Sequence, residues 1–241
     1  MKFLFKGYLV NYEVIENDKD TSVLFLHGWG GNLHSFDLLK KYLLSCYNLI
    51  SISMPPYFLE DIDSLNPLNM DDYLDLVRNI LILSNKKKLI LICHSFGFRI
   101  ALMLLSLNFK IEKIVVTGGA GISLDKNIFQ TINFNQKLLI NKLKHFEVKR
   151  KVKTDYSILK GVDRISFKNI VNKNLKEYVK LIDCPTLLFW GKKDKSTPLK
   201  IYKYLKKNIR NNIAVLTHSD HFCYIKENNK FINSILKFLN S

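Results

Sequence analysis

Three side chains in this 241-residue sequence could together perform nucleophilic chemistry: Ser95, Asp194 and His221. Ser95 lies inside K-L-I-L-I-C-H-S-F-G-F-R-I-A-L-M-L-L, from Lys88 to Leu105. The Leu/Ile-dense first half predicts a buried strand, and Ile100, Leu102, Met103, Leu104 and Leu105 predict a helix with a mostly apolar face. His94-Ser95-Phe96-Gly97 leaves no room between them for an ordinary loop. A strand that becomes a helix across one serine must hold it in a strained conformation. The hydroxyl then stands at the strand tip beside the first N–H groups of the helix, which is how a nucleophile elbow is built. A serine hydroxyl needs a base to take its proton. An imidazole serves when a carboxylate holds its tautomer and stabilises its charge. Asp194 and His221 each follow a later predicted strand. The glycine-rich stretch His27-Gly28-Trp29-Gly30-Gly31 can set the Trp29 N–H beside the Phe96 N–H, two donors for a developing oxyanion. The plain alternative for Ser95, a helix N-cap, leaves the paired Asp and His without a role.

These residues need elements that carry them to one place. Residues 2–16 read as an antiparallel pair or a bent strand at a sheet edge. Strands are expected at 22–26, 47–54, before Ser95, at 111–117, 186–190 and 212–217. Helices are expected at 33–44, from Asn69 to about Ser84, after Ser95, at 198–207 and at 229–239. Asn69 with Asp71 and Asp72 marks a helix start, and Tyr73, Leu76, Val77, Ile80 and Leu81 form its apolar face. Strands alternating with helices predict an α/β fold: a mostly parallel twisted sheet of about eight strands with helices on both faces. Reactive groups in such sheets gather beyond the carboxyl ends of the strands. Between 122 and 181 the composition turns to Lys and Asn with apolar residues at helical spacing. That stretch reads as a small helical cap inserted into a core of residues 1–121 and 182–241.

Composition narrows the remaining choices. The length suits one sizeable domain, and 47% hydrophobic residues provide ample core material. The formal net charge of +16 could mark an anionic partner, or compositional drift toward Lys. The runs Lys86–Lys88 and Lys142–Lys153 hold no Gly and only one Arg and one Phe, Arg150 and Phe146, short of the interleaving of a single-strand nucleic-acid binder, which favours drift. Cys46, Cys93, Cys184 and Cys223 are widely spaced, neither a disulfide framework nor a zinc pattern. The first residues lack the apolar core of a secretory signal, and no apolar run reaches membrane-spanning length. A cytoplasmic protein without membrane insertion is expected.

Four motifs in order, H-G-W-G-G at 27–31, H-S-F-G at 94–97, P-T-L-L-F-W-G-K-K-D-K-S-T-P at 185–198 and D-H-F at 220–222, resemble those of α/β-hydrolase fold enzymes. The resemblance spans nearly the whole chain except the cap, and is closest to small bacterial carboxylesterases, including those acting on pimeloyl esters. It implies catalysis of carboxylic ester hydrolysis by Ser95, His221 and Asp194 through an acyl-enzyme, with Trp29 and Phe96 as oxyanion donors and no metal or organic cofactor. The implied partner is a small-molecule acyl ester, free or carrier-bound, rather than nucleic acid. His218 lies closer to its strand than His221, but the D-H-F context favours His221. Departures from the pattern are Cys93 in place of the elbow's usual first glycine, Asp220 in place of the glycine before the histidine, and Pro55-Pro56-Tyr57 in place of a glycine-rich turn. Two alternatives accompany this reading. One is a carbon–carbon hydrolase or lyase on the same triad, for which Arg99, Arg150 and Arg164 are candidate clamps on a substrate carboxylate. The other is a non-catalytic ligand-binding protein on the same scaffold.

Overall fold

The computed structural model describes residues 1–55, 65–124 and 161–241. Eight strands form one sheet: β1 (Lys2–Phe5), β2 (Tyr8–Ile15), β3 (Thr21–Leu26), β4 (Asn48–Ile52), β5 (Lys88–His94), β6 (Lys110–Thr117), β7 (Thr186–Gly191) and β8 (Asn212–Thr217). Their spatial order is β1-β2-β4-β3-β5-β6-β7-β8. β1 pairs antiparallel with β2 and β2 antiparallel with β4, while every pairing from β4 onward is parallel. The N-terminal segment is therefore the antiparallel edge that its sequence predicts.

Successive side chains of a strand point to opposite faces, and the central strands are apolar on both. Leu24, Leu91, Val116 and Trp190 enter one core with α2 (Met70–Leu83), α3 (Phe96–Leu104) and α5 (Leu199–Asn208). Val23, Ile92, Val115 and Phe189 enter a second core with α1 (Asp37–Leu43) and α7 (Asn228–Leu239). Burying each such side chain contributes about 1.5–3 kcal/mol, which locks the register of the strands whose ends carry the site. α2 starts where its cap predicts: the Asn69 side chain accepts from the Asp71 and Asp72 N–H groups, and Asp72 returns a bond from the Asn69 N–H.

α1 is shorter than its apolar pattern suggests, because residues 32–36 form turns instead, with Ser35 N donating to Asn32 O and Asp37 N to His34 O. A one-turn helix, α6 (Cys223–Lys226), precedes α7. Residues 125–160 of the expected cap lie outside the described residues, as do Arg150, His145 and the Pro56-Tyr57 turn. From Gly161 the chain forms α4 (Gly161–Asn172) and a 3-10 segment, Lys176–Leu181. This stretch is built into the core: Ile170, Leu175 and Val179 are fully buried, and Leu175 N donates to Gly121 O at 2.8 Å. Among the described residues no helix is long and apolar enough to cross a membrane.

Candidate active site

β5 ends at His94 and α3 begins at Phe96, so Ser95 alone makes the turn. Its backbone is at φ 47°, ψ −109°, a region that non-glycine residues enter only under constraint. The constraint comes from both sides. Ser95 N donates to Thr117 O at the end of β6, and Ser95 O accepts from Phe98 N and Ala120 N. α3 presses so closely on β3 that a Cβ at position 97 would lie 2.0 Å from Leu26 O, which only glycine avoids. Cys93 fits where the family pattern has glycine because its thiol is buried and donates to Val115 O at 3.1 Å. Burial pushes that thiol well above its ordinary range, so it is inert packing.

The loop after β7 brings Asp194 to His221, which follows β8. His221 Nδ1 lies 2.8 Å from Asp194 Oδ2, and both side chains are almost fully buried. Asp194 is held by three further donors: Ser196 N and Thr197 N reach Oδ1 at 2.8 Å each, and the Thr197 hydroxyl reaches Oδ2 at 2.7 Å. A carboxylate so bound presents Oδ2 to the imidazole and keeps the proton on Nδ1, leaving Nε2 as the basic nitrogen. Nε2 is buried and makes no hydrogen bond among the described residues. The two loops can approach because Gly191 lacks a side chain; a Cβ there would lie 2.3 Å from Asp220 O.

His94 connects Ser95 to this pair. Its ring lies tilted, 4.6 Å from that of His221 and 4.6 Å from that of Tyr224. Its Nδ1 bonds to Thr117 O at 2.9 Å. Burial first, and then the neighbouring His221, hold the His94 pKa well below the ordinary histidine value. His94 therefore stays neutral and adds no charge against an imidazolium at His221.

The glycine-rich loop closes over the elbow: a Cβ on Gly28 would stand 3.5 Å from Ser95 Cβ. His27 braces that loop. Its Nδ1 bonds to Gly28 O at 2.7 Å, and its Nε2 accepts from Met54 N at 2.8 Å. Desolvation lowers its pKa to about 4, so it remains the neutral Nδ1–H tautomer that both bonds require. The Trp29 ring packs edge-on against Phe96, Phe167 and Tyr73 at 5.4, 5.0 and 6.4 Å. Neither the Trp29 nor the Phe96 backbone N–H donates to another group among the described residues.

The structure thus gathers Asp194 with His221, and Ser95 with Phe96 and the Trp29 loop, at the carboxyl ends of β3, β5, β7 and β8. His218 is exposed and takes no part in the buried pair. Asp220 is structural, accepting from Lys226 Nζ at 2.8 Å and from Phe222 N at 3.2 Å. Arg99 is not available as a substrate clamp, since it is buried and its guanidinium Nη1 donates to Ile170 O and Lys173 O at 2.9 Å each. Arg164 is exposed. Sequence reasoning overlooked Thr197; its position three residues after the acid was the available signal. No metal-binding group of His, Cys, Asp and Glu occurs among the described residues.

Comparison with known proteins agrees with this architecture. No protein-family model matches the sequence. A Mycoplasma pneumoniae protein provisionally named esterase/lipase 2 is 23% identical over 227 residues, covering 85% of this chain and 84% of its own. Among solved structures, an esterase from Exiguobacterium antarcticum superposes with a TM-score of 0.74 at 19% identity, over 97% of this chain and 96% of its own. A meta-cleavage product hydrolase from Pseudomonas fluorescens gives 0.73 at 19% identity, over 100% of this chain and 97% of its own. These superpositions run over nearly the whole length of both chains, and the chain has the α/β-hydrolase fold.

Proposed function

We propose that the protein is a serine hydrolase of carboxylic esters, with Ser95 as nucleophile, His221 as base and Asp194 as the orienting acid. The observation that carries this reading is the buried 2.8 Å Asp194–His221 bond, at the same end of the sheet as a serine held at positive φ on a strand-to-helix turn. The esterase/lipase naming of the Mycoplasma relative and the esterase among the structural neighbours support the choice of ester over other acyl bonds.

In the mechanism, His221 Nε2 takes the Ser95 proton as Oγ adds to the ester carbonyl carbon. The imidazolium is stabilised by Asp194, which stays ionised. The oxyanion accepts from the Trp29 and Phe96 backbone N–H groups, whose lack of other partners supports that assignment. Collapse of the tetrahedral intermediate expels the alcohol, which takes its proton from His221, and leaves Ser95 acylated. Water, deprotonated by His221, then adds to the acyl carbon, and the acid departs as Ser95 recovers its proton. No residue in the sequence requires a cofactor for these steps. The acyl group would lie against the aromatic surface of Trp29, Phe96 and Phe167. Of the expected cap, α4 contributes Phe167.

A second reading, hydrolysis of a carbon–carbon bond on the same triad, is supported by the equal superposition on the meta-cleavage product hydrolase. The burial of Arg99 against backbone carbonyls removes one of its three candidate carboxylate clamps.

The test is turnover of p-nitrophenyl esters from acetate to palmitate by the native protein and Ser95→Ala. Turnover that disappears in Ser95→Ala is expected. Folded protein that turns over no ester, yet is labelled at Ser95 by a fluorophosphonate, would move the assignment to carbon–carbon substrates. Absence of labelling would leave only a ligand-binding role.

A further inference from the structure

Ser95 and His221 come from opposite ends of the sequence, and no hydrogen bond joins them among the described residues: His221 Nε2 has no partner. Asp194 holds the imidazole at Nδ1. A ring fixed at Cβ and at one nitrogen keeps its tilt free, and the direction of Nε2 depends on that tilt. Besides Phe222, its own neighbour in sequence, two groups press on the ring. The backbone at Gly118 comes so near that a Cβ there would lie 2.9 Å from His221 Nδ1 and 3.0 Å from its Cε1. The second group is His94, with ring centroids 4.6 Å apart.

His94 is itself fixed from three directions. Its Nδ1 bonds to Thr117 O at 2.9 Å. Its ring meets that of Tyr224 at 4.6 Å, and a Cβ on Gly28 would lie 2.7 Å from its Cδ2. Tyr224 is packed in turn on Phe36 and Phe231, at 5.3 and 5.8 Å, inside the second core. A column of rings thus runs from that core to the base.

The carbonyl at the end of β6 has a double role. Thr117 O accepts from the His94 ring and also from Ser95 N, at 3.1 Å. One acceptor therefore fixes both the backbone of the nucleophile and the ring that bears on the base. A carbonyl only accepts, so His94 Nδ1 carries the proton. The ring is uncharged, because burial holds its pKa well below the ordinary value, and it lies against an imidazolium without repelling it. Packing alone does not account for an imidazole at this position. The residue is buried, where an apolar ring would fill the space without the cost of burying polar nitrogens. We propose that His94 is a positioning residue for the hydrolysis: tethered to Thr117 O, it holds the His221 imidazole at the tilt that points Nε2 toward Ser95 Oγ. The inference rests on the triad reading above, and His94 acts through His221 rather than on the substrate.

Two variants separate the ring from its tether. His94→Asn keeps an N–H for Thr117 O and removes the ring, while His94→Phe keeps a ring and removes the donor. Both are assayed beside the native protein on p-nitrophenyl butyrate, with thermal midpoints and with folded sites counted by complete fluorophosphonate labelling of Ser95. The expected result is a kcat lowered about 100-fold in His94→Asn and about 10-fold in His94→Phe, with KM within about two-fold of native. His221→Ala supplies the decisive background, because its residual turnover comes from the oxyanion donors and binding alone. Adding His94→Asn there should change the residual rate by less than about two-fold. A further fall of about 10-fold in that background would place the effect on Ser95 or the oxyanion loop and overturn the proposal. An unchanged kcat in both single variants would overturn it, as would a KM raised as much as kcat is lowered, which would put His94 at the substrate. Should His94→Asn fold too poorly to assay, His94→Phe with the same His221→Ala comparison decides alone. Native protein that neither turns over ester nor is labelled at Ser95 would overturn the triad reading and this inference with it. Active native protein indifferent to replacement of His94 would overturn this inference only.

Discussion

His221 Nδ1 stands 2.8 Å from Asp194 Oδ2, and the Thr197 hydroxyl stands 2.7 Å from the same oxygen. One carboxylate oxygen is thus shared between the imidazole and a hydroxyl that fixes its direction, while the other oxygen is taken by two backbone N–H groups. Asp194→Asn preserves acceptance at Oδ1 but presents an amide donor to His221, which reverses the tautomer and protonates Nε2. An approximately 10⁴-fold fall in kcat with little change in thermal midpoint is expected. Thr197→Val, which removes only the orienting hydroxyl, should cost about 10-fold. Steady-state kinetics on a soluble ester checks both, and an Asp194→Asn variant as active as native would remove Asp194 from the mechanism.

The positive φ of Ser95 implies strain held by its neighbours. Ser95→Gly and Ser95→Ala both remove the hydroxyl, but only glycine relieves the backbone. The glycine variant should be the more stable by about 1 kcal/mol, or about 2–4 °C in thermal midpoint. A glycine variant less stable than the alanine variant would show that the turn is unstrained.

Arg99 ties α3 to the end of α4. Replacing it with Met removes a buried cation whose pKa desolvation has lowered to about 10, and leaves Ile170 O and Lys173 O without their donor. A loss of about 2–3 kcal/mol is expected, with faster proteolysis of residues 161–181. A raised KM for carboxylate-bearing esters at unchanged thermal midpoint would instead place the guanidinium at the substrate.

Asp163 is buried on α4, and desolvation raises its pKa from 3.8 to about 6. A carboxyl whose pKa is higher folded than unfolded binds its proton more tightly in the folded protein. Its contribution to stability is therefore present below about pH 4 and is lost as pH rises toward about 6. Asp163→Asn should be more stable than native by about 1–2 kcal/mol at pH 7 and indistinguishable from it at pH 4. Thermal midpoints across that range decide it, and an equal shift at both pH values would mean that the carboxyl does not titrate differently on folding.

Much of this protein was legible in its sequence because the signals are local. A Leu/Ile run against an apolar helix with one serine between them admits one geometry, and β5, Ser95 and α3 take it. Apolar residues at alternating faces of β3, β5, β6 and β7 required helices on both sides, and the order of strands and helices required a parallel sheet. The motif order named Asp194 and His221 before any contact was known. What tertiary structure alone decided is whatever depends on residues distant in sequence meeting in space. Thr197 became the orienting group because the β7 loop folds back under His221, 24 residues later. Arg99, which local pattern left free to bind a carboxylate, was claimed by carbonyls 71 and 74 residues away. Cys93 was tolerated because a carbonyl of β6 happens to receive its thiol.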